Sequence, residues 1–443
     1  MKSVQSTRAG NERYAWYVVF VLMLAYTLSF IDRQILSLLV QPIKAELRIT
    51  DTQIGLLQGF AFALFYTAVG LPMGRIVDRF NRRNLMSAGV FLWSLMTVAA
   101  GGARSFGALF AARMGVGIGE ATLSPAAFSM LSDYFRRSQL NTAMSVYSLG
   151  VFIGAGSAFM VGGAVVGALA GRPPVNVPLI GTIEAWRLTF FVVGLPGLAL
   201  SAVIAGLREP ERTGLMLGHD GLARKLTLTA VILEVRKRWP AVAAVTTGMA
   251  CHAICMYAVF AWMPAFFIRA YHWESGKAGL AVGASVLLCG CAGMITGGRL
   301  CDRWQAAGIP HAALRVGVFA GLLCSAALSV ATLIAAAPVS VALLAPGMFA
   351  LALPIGGMFA TLQMLFPNQI RGQVSALFLC VISLIGISLG PLLPGLLNDR
   401  VFGGGAGIGP ALALTVGAAA LAMALVFRVN FRAVGAQLAR STP

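Results

Sequence analysis

The 443-residue chain is 58% hydrophobic and only 11% charged, yet it carries a formal net charge of +18. A water-exposed domain needs about 25% charged residues, so this composition excludes an ordinary soluble enzyme or binding module. The basic excess would suit nucleic acid, but no basic domain stands clear of the apolar runs, which excludes that partner too.

Apolar runs of about 20 residues recur along the chain, each long enough to cross a bilayer as a helix. Twelve are predicted: 15–41, 52–73, 85–101, 107–131, 142–170, 186–206, 241–270, 276–298, 312–336, 339–365, 372–396 and 408–428. The first follows a short polar tail and is too long for a signal peptide, so it is expected to be retained. The expected fold is an all-α polytopic membrane protein with both termini cytoplasmic. On that topology 23 of the 33 Lys and Arg fall on the cytoplasmic side, 8 outside and 2 deep in the membrane. This is the positive-inside bias that sets orientation on insertion. Basic clusters such as "RFNRR" and "RKR" then serve topology and contact with anionic membrane lipids.

The most polar long segment, 207–240, splits the spans six and six. It divides the chain into a first bundle (1–206), a cytoplasmic linker (207–240) and a second bundle (241–443). Within the linker, Leu226, Leu228, Val231, Ile232 and Val235 stand among Arg224, Lys225, Arg236 and Lys237. That pattern predicts an amphipathic helix on the inner leaflet. The seven cysteines all lie in the second half; their odd number and position on spans argue against a disulfide framework. Cys251, His252 and Cys255 have helical spacing toward a metal, but small packing residues on a helix account for them, and no metal or cofactor is expected.

The halves echo each other. "GRIVDRFNRR" (74–83) follows the second span and "GRLCDRW" (298–304) the eighth; "DYFRRSQLNTA" follows the fourth and "FPNQIRGQVSA" the tenth. Matched loops imply two pseudo-symmetric six-helix bundles, the plan of secondary transporters that hold substrate between repeats near the midplane. "GRIVDRFNRRN" resembles the loop signature of the major facilitator superfamily, and "RMGVGIGEA" its fourth-helix motif. The fifth helix, "GVFIGAGSAFMVGG", resembles the antiporter motif of that superfamily, with Ala155 where a proline is usual. A narrower likeness rests on "SFIDRQILSLLVQPIKAEL" and "RMGVGIGEATLSPAAFSML". These resemble the Spinster family, associated with lysophospholipids and sphingosine-1-phosphate, and the compact loops suit a bacterial member.

The resemblance implies a cytoplasmic gate at Gly74, Asp78, Arg79 and Arg83, with Asp302 and Arg303 as counterparts. Asn81 stands where the signature has its second glycine, and Asp78 is placed to cap the third helix.

Four charges lie deep in spans: Asp32, Arg33, Arg113 and Glu120. Each costs about 2.5–3.5 kcal/mol at the bilayer centre, so each needs a partner or a wet cavity. Arg113 and Glu120 are two turns apart, facing one way about 10 Å from each other, and must look to the first helix. A carboxylate kept from water favours its protonated form, and an adjacent guanidinium restores its charge. Asp32 and Glu120 are therefore the expected proton-coupling pair, with Arg113 as switching partner and headgroup contact. Arg33 either lines the cavity or reaches outward. An ion-pair network that merely locks the first and fourth helices is the competing account.

The second half has no deep charge, so its cavity wall is expected from residues such as His252, Tyr257, Phe260 and Met263. A cavity charged on one side and apolar on the other suits an amphiphilic, lipid-like anion moved with or against protons by a monomer. A multidrug or organic-anion exporter of the same fold is the alternative. An enzyme would need a nucleophile–base or metal constellation at bilayer depth, and none is evident. Glycines 115, 117 and 119 serve close helix packing rather than dinucleotide binding.

Overall fold

The structure is a computed structural model that describes residues 2–135, 137–169, 175–177, 181–212, 228–309, 311–366 and 368–441. Among them, eleven helices are long and apolar enough to cross a membrane. The predicted span 107–131 is not one continuous helix. It is built as Phe106–Glu120 and Leu123–Tyr134, broken at Ala121 and Thr122. Pro125 explains the break: it has no N–H to donate, and its ring crowds the carbonyl four residues earlier. Thr122 turns its hydroxyl onto the Gly119 carbonyl at 2.9 Å instead. The tenth span repeats this device, with Ala337–Ala352 and Ile355–Met364 meeting at Pro354.

The other starts and bends are also local. Thr50 and Gln53 form a reciprocal capping box that begins the second span. Asn81, rather than Asp78, caps the third: its side chain accepts from the Asn84 N–H at 2.9 Å. The side chain of Asp78 lies outside the described residues. π-helical turns occur at Leu56–Phe60 in the second span and at Ser285–Gly290 in the eighth, again at matched places. A two-stranded antiparallel ribbon, Val175–Val177 with Gly181–Ile183, joins the fifth and sixth spans.

Packing follows the same repeat. The first span packs on the fifth and the third on the sixth; the seventh packs on the eleventh and the ninth on the twelfth. The bundles meet through the second span on the eleventh and the fifth on the eighth. Glycine permits that closeness: a Cβ on Gly59 would stand 2.3 Å from the Ile387 carbonyl oxygen, and one on Gly279 would stand 2.1 Å from that of Phe159. In the linker, helix Leu228–Lys237 sets Val235 against the second bundle. Arg224, Lys225 and Leu226 lie outside the described residues, as do the side chains of Leu228, Val231 and Ile232.

Candidate functional site between the bundles

The break in the fourth span makes Glu120 the last residue of its helix, pointed at the first span. Its Oε2 accepts from Ser29 Oγ at 2.6 Å and from Arg33 Nε at 2.6 Å, and Arg33 Nη2 stands 2.5 Å away. The Arg33 guanidinium is also boxed by aromatic rings, 4.5 Å from the Phe62 centroid, 5.0 Å from Phe30 and 5.2 Å from Tyr66. Arg33 therefore turns inward, and it, not Arg113, is the cation on Glu120. Arg113 donates to main-chain oxygens, from Nη1 to Asp32 at 3.2 Å and from Nε to Leu57 at 3.4 Å. Leu57 belongs to the π-helical turn. The Asp32 carboxylate accepts from Thr97 Oγ1 at 3.2 Å on the third span.

The set is thus spread over four spans. Asp32, Arg113 and Glu120 are each at most 3% exposed. Asp32 Oδ1, Glu120 Oε1 and Arg113 Nη2 are buried without a partner among the described residues. Half-satisfied buried charges cost several kcal/mol, so the arrangement is expensive as a mere helix lock.

A cavity of about 20 Å³ opens beside them, walled by Arg33, Arg113, Gln58 and Phe62 from the first bundle and Tyr257 and Phe260 from the second. Of the second-half residues expected to form the wall, Tyr257 and Phe260 are the ones brought to this void. His252 and Met263 do not wall this cavity: both are buried, 3% and 1% exposed, within the second bundle's seventh span. Gln58 also walls the cavity, although it carries no charge. Its signal was a lone amide in "LLQGF" in the middle of an apolar span.

Beyond the cavity, toward the face opposite the termini, the bundles are fastened. Trp262 Nε1 donates to the Pro391 carbonyl at 2.7 Å. Asp51, wholly buried, accepts from Arg269 Nη1 and Nη2 at 2.6 and 2.8 Å, from Asn398 Nδ2 at 2.5 Å and from Lys44. Asp399 in turn caps the second span, accepting from the Asp51 and Thr52 N–H groups at 3.2 and 2.6 Å.

On the terminal face the described contacts of the loop signature stay in the first bundle and the start of the linker. Arg82 binds Asp133, and its Nε donates to Glu209 at 2.7 Å; the Arg83 N–H donates to Glu209 at 3.0 Å. Arg79, Asp302 and Arg303 are exposed, and a Cβ on Gly74 would meet open space.

Two repeated helix bundles, fastened at one face around a central charged cavity, define a multi-pass membrane transporter rather than an enzyme. The chain belongs to the Major Facilitator Superfamily, whose profile matches residues 22–391. It is 28% identical to an MFS-type efflux pump of Mycolicibacterium smegmatis, over 94% of this chain and 92% of that protein. A probable L-galactonate transporter of Escherichia coli is 26% identical over 73% and 69% of the two chains. The Xenopus tropicalis sphingosine-1-phosphate transporter SPNS2 is 30% identical, over 39% of this chain and 34% of its own length. Among solved structures, a bacterial homologue of the human lysosomal transporter Spinster, inward-facing and unoccupied, superposes with a TM-score of 0.78 at 26% identity, covering 97% of each chain. The protein is a superfamily transporter with Spinster-type relatives.

Proposed function

We propose that this transporter moves an amphiphilic anion, of the lysophospholipid or sphingosine-1-phosphate type, by proton-coupled alternating access across a bacterial inner membrane. The observation that carries the reading is the position of Arg33: it neutralises Glu120 and also walls the cavity. An anion entering there competes with Glu120 for the same guanidinium. When Arg33 turns to the ligand, Glu120 is left buried without its counter-charge and takes a proton; when the ligand leaves, the pair reforms and the proton departs. Asp32, held by Thr97 on another span, exchanges a second proton on the same logic, and the unpaired Nη2 of Arg113 contacts the headgroup.

With both termini cytoplasmic, the fastened face is external and the structure is inward-facing. Bundles 1–206 and 241–443 move as units about the linker 207–240, with no oligomer required. In the outward-facing state Gly74, Asp78, Arg79 and Arg83 approach Asp302 and Arg303 and shut the cytoplasmic side. The galactonate transporter among the relatives favours a second reading, export or uptake of a hydrophilic organic anion through the same cavity.

The test is flux of a lysophospholipid in proteoliposomes with an imposed pH gradient. Asp32→Asn and Glu120→Gln should each abolish gradient-driven flux while the protein still elutes as a folded species. Unchanged flux in both variants refutes proton coupling at these residues.

A further inference from the structure

Gln58 is a polar group of the cavity that none of the ionic contacts uses. It is 9% exposed, and neither its Oε1 nor its Nε2 has a partner among the described residues. A buried amide left open at both ends costs about 1–3 kcal/mol for each unmade hydrogen bond, so its retention calls for an occupant. The π-helical turn Leu56–Phe60 aims it into the cavity, and Gly59 holds that turn against Ile387 of the other bundle. Arg113 shares the same wall, with its Nη2 likewise open.

The shape of the space narrows the ligand. The void is about 20 Å³, enough for one water-sized group. Pro391, whose carbonyl accepts from Trp262 Nε1 at 2.7 Å, forms part of its wall. So small a void takes a terminal or neighbouring functional group, not a chain. A hydroxyl is the small group that both donates to an amide oxygen and accepts from an amide nitrogen, so it satisfies Gln58 whichever way the amide is turned. An anionic group beside it meets Arg113.

We propose that Gln58 and Arg113 together form a subsite for a hydroxyl adjacent to an anionic group, with Gln58 reading the hydroxyl and Arg113 the charge. This deepens the anion-transport reading above and rests on it. Two sources share that chemistry: a lysoglycerophospholipid, with its free hydroxyl near the phosphate, and a polyhydroxy acid, with a hydroxyl next to its carboxylate.

The experiment measures dissociation constants of the purified full chain for two matched pairs. One pair is 1-oleoyl-lysophosphatidic acid and its 2-deoxy analogue; the other is D-galactonate and its 2-deoxy analogue. One net hydrogen bond predicts that the hydroxyl-bearing member of one pair binds about tenfold more tightly in the wild type. The pair that shows the difference identifies the source. Gln58→Met should bring that ratio to about one while keeping affinity for the deoxy compound. Arg113→Gln should weaken both members together and leave the ratio intact. Equal binding of both members by the wild type, a measurement that needs no variant, overturns the role of Gln58 alone. A ratio kept in Gln58→Met does the same. No binding of any of the four compounds overturns the anion reading itself, and this subsite with it.

Discussion

Replacing Asp51 by Asn should open the face that the structure holds shut. Asp51 is wholly buried, and its two oxygens gather Arg269, Lys44 and Asn398 from three separate elements. The substitution keeps the shape and the main-chain hydrogen bonds to Asp399, but it removes the charge and turns one acceptor oxygen into an NH2 that faces other donors. Arg269, whose side chain is 8% exposed, then lacks its carboxylate. Breaking a buried pair in this way costs about 3–5 kcal/mol, and the partial exposure of Lys44 places the effect at the lower end. In the alternate state Arg269 and Asn398 of the second bundle part from Asp51 and are hydrated, so the cost falls mainly on the closed form. About 3 kcal/mol is on the order of a 100-fold shift, enough to bring a mixture at roughly 99:1 near equality. Spin labels at Ala45→Cys and Val401→Cys, both exposed on that face, report the change in a chain otherwise freed of accessible cysteine. Double electron–electron resonance should show a second, longer distance in Asp51→Asn. An unchanged distance distribution would refute the assignment of this cluster as the fastening between bundles.

Two further outcomes follow from packing and from titration. Gly59→Ala places a Cβ 2.3 Å from the Ile387 oxygen and should destabilise the closed form by about 1–3 kcal/mol. Gly70→Ala, which meets open space, should be neutral or slightly stabilising through helix propensity, and thermal unfolding in detergent compares the two. On the terminal face, His311 stacks on Phe431 with centroids 4.9 Å apart and accepts from Arg315 Nε at 3.1 Å. Burial, then the Arg315 charge, hold His311 below the usual imidazole range. A lowered folded value means that the unfolded chain binds the extra proton first, so the contact is fully present above about pH 6.5 and is lost as pH falls. Amide protection factors in helix Phe431–Ser441, taken relative to the intrinsic exchange rate at each pH, should therefore fall on acidification, and should lose that dependence in His311→Gln.

The spans, the repeat and the four deep charges were legible in the sequence because each is a one-dimensional signal: apolar length, a recurring loop, an isolated ionic residue. The fourth helix shows where that legibility stops. Its heptad spacing does put Arg113 and Glu120 on one face, but Pro125 breaks the helix directly after Glu120 and turns that carboxylate toward Arg33. Which of two neighbouring charges on the first span meets which partner depends on how the helices are rotated against each other, and no spacing rule encodes that rotation. Asp32 and Arg33 are adjacent in sequence, yet one reaches the third span through Thr97 and the other the fourth through Glu120. Adjacent residues on a helix point about 100° apart, so a pair of charges on the first helix serves two different neighbours at once. On the proposed mechanism, a ligand that draws Arg33 away would free Glu120 while Asp32 keeps its bond to Thr97 on the third span.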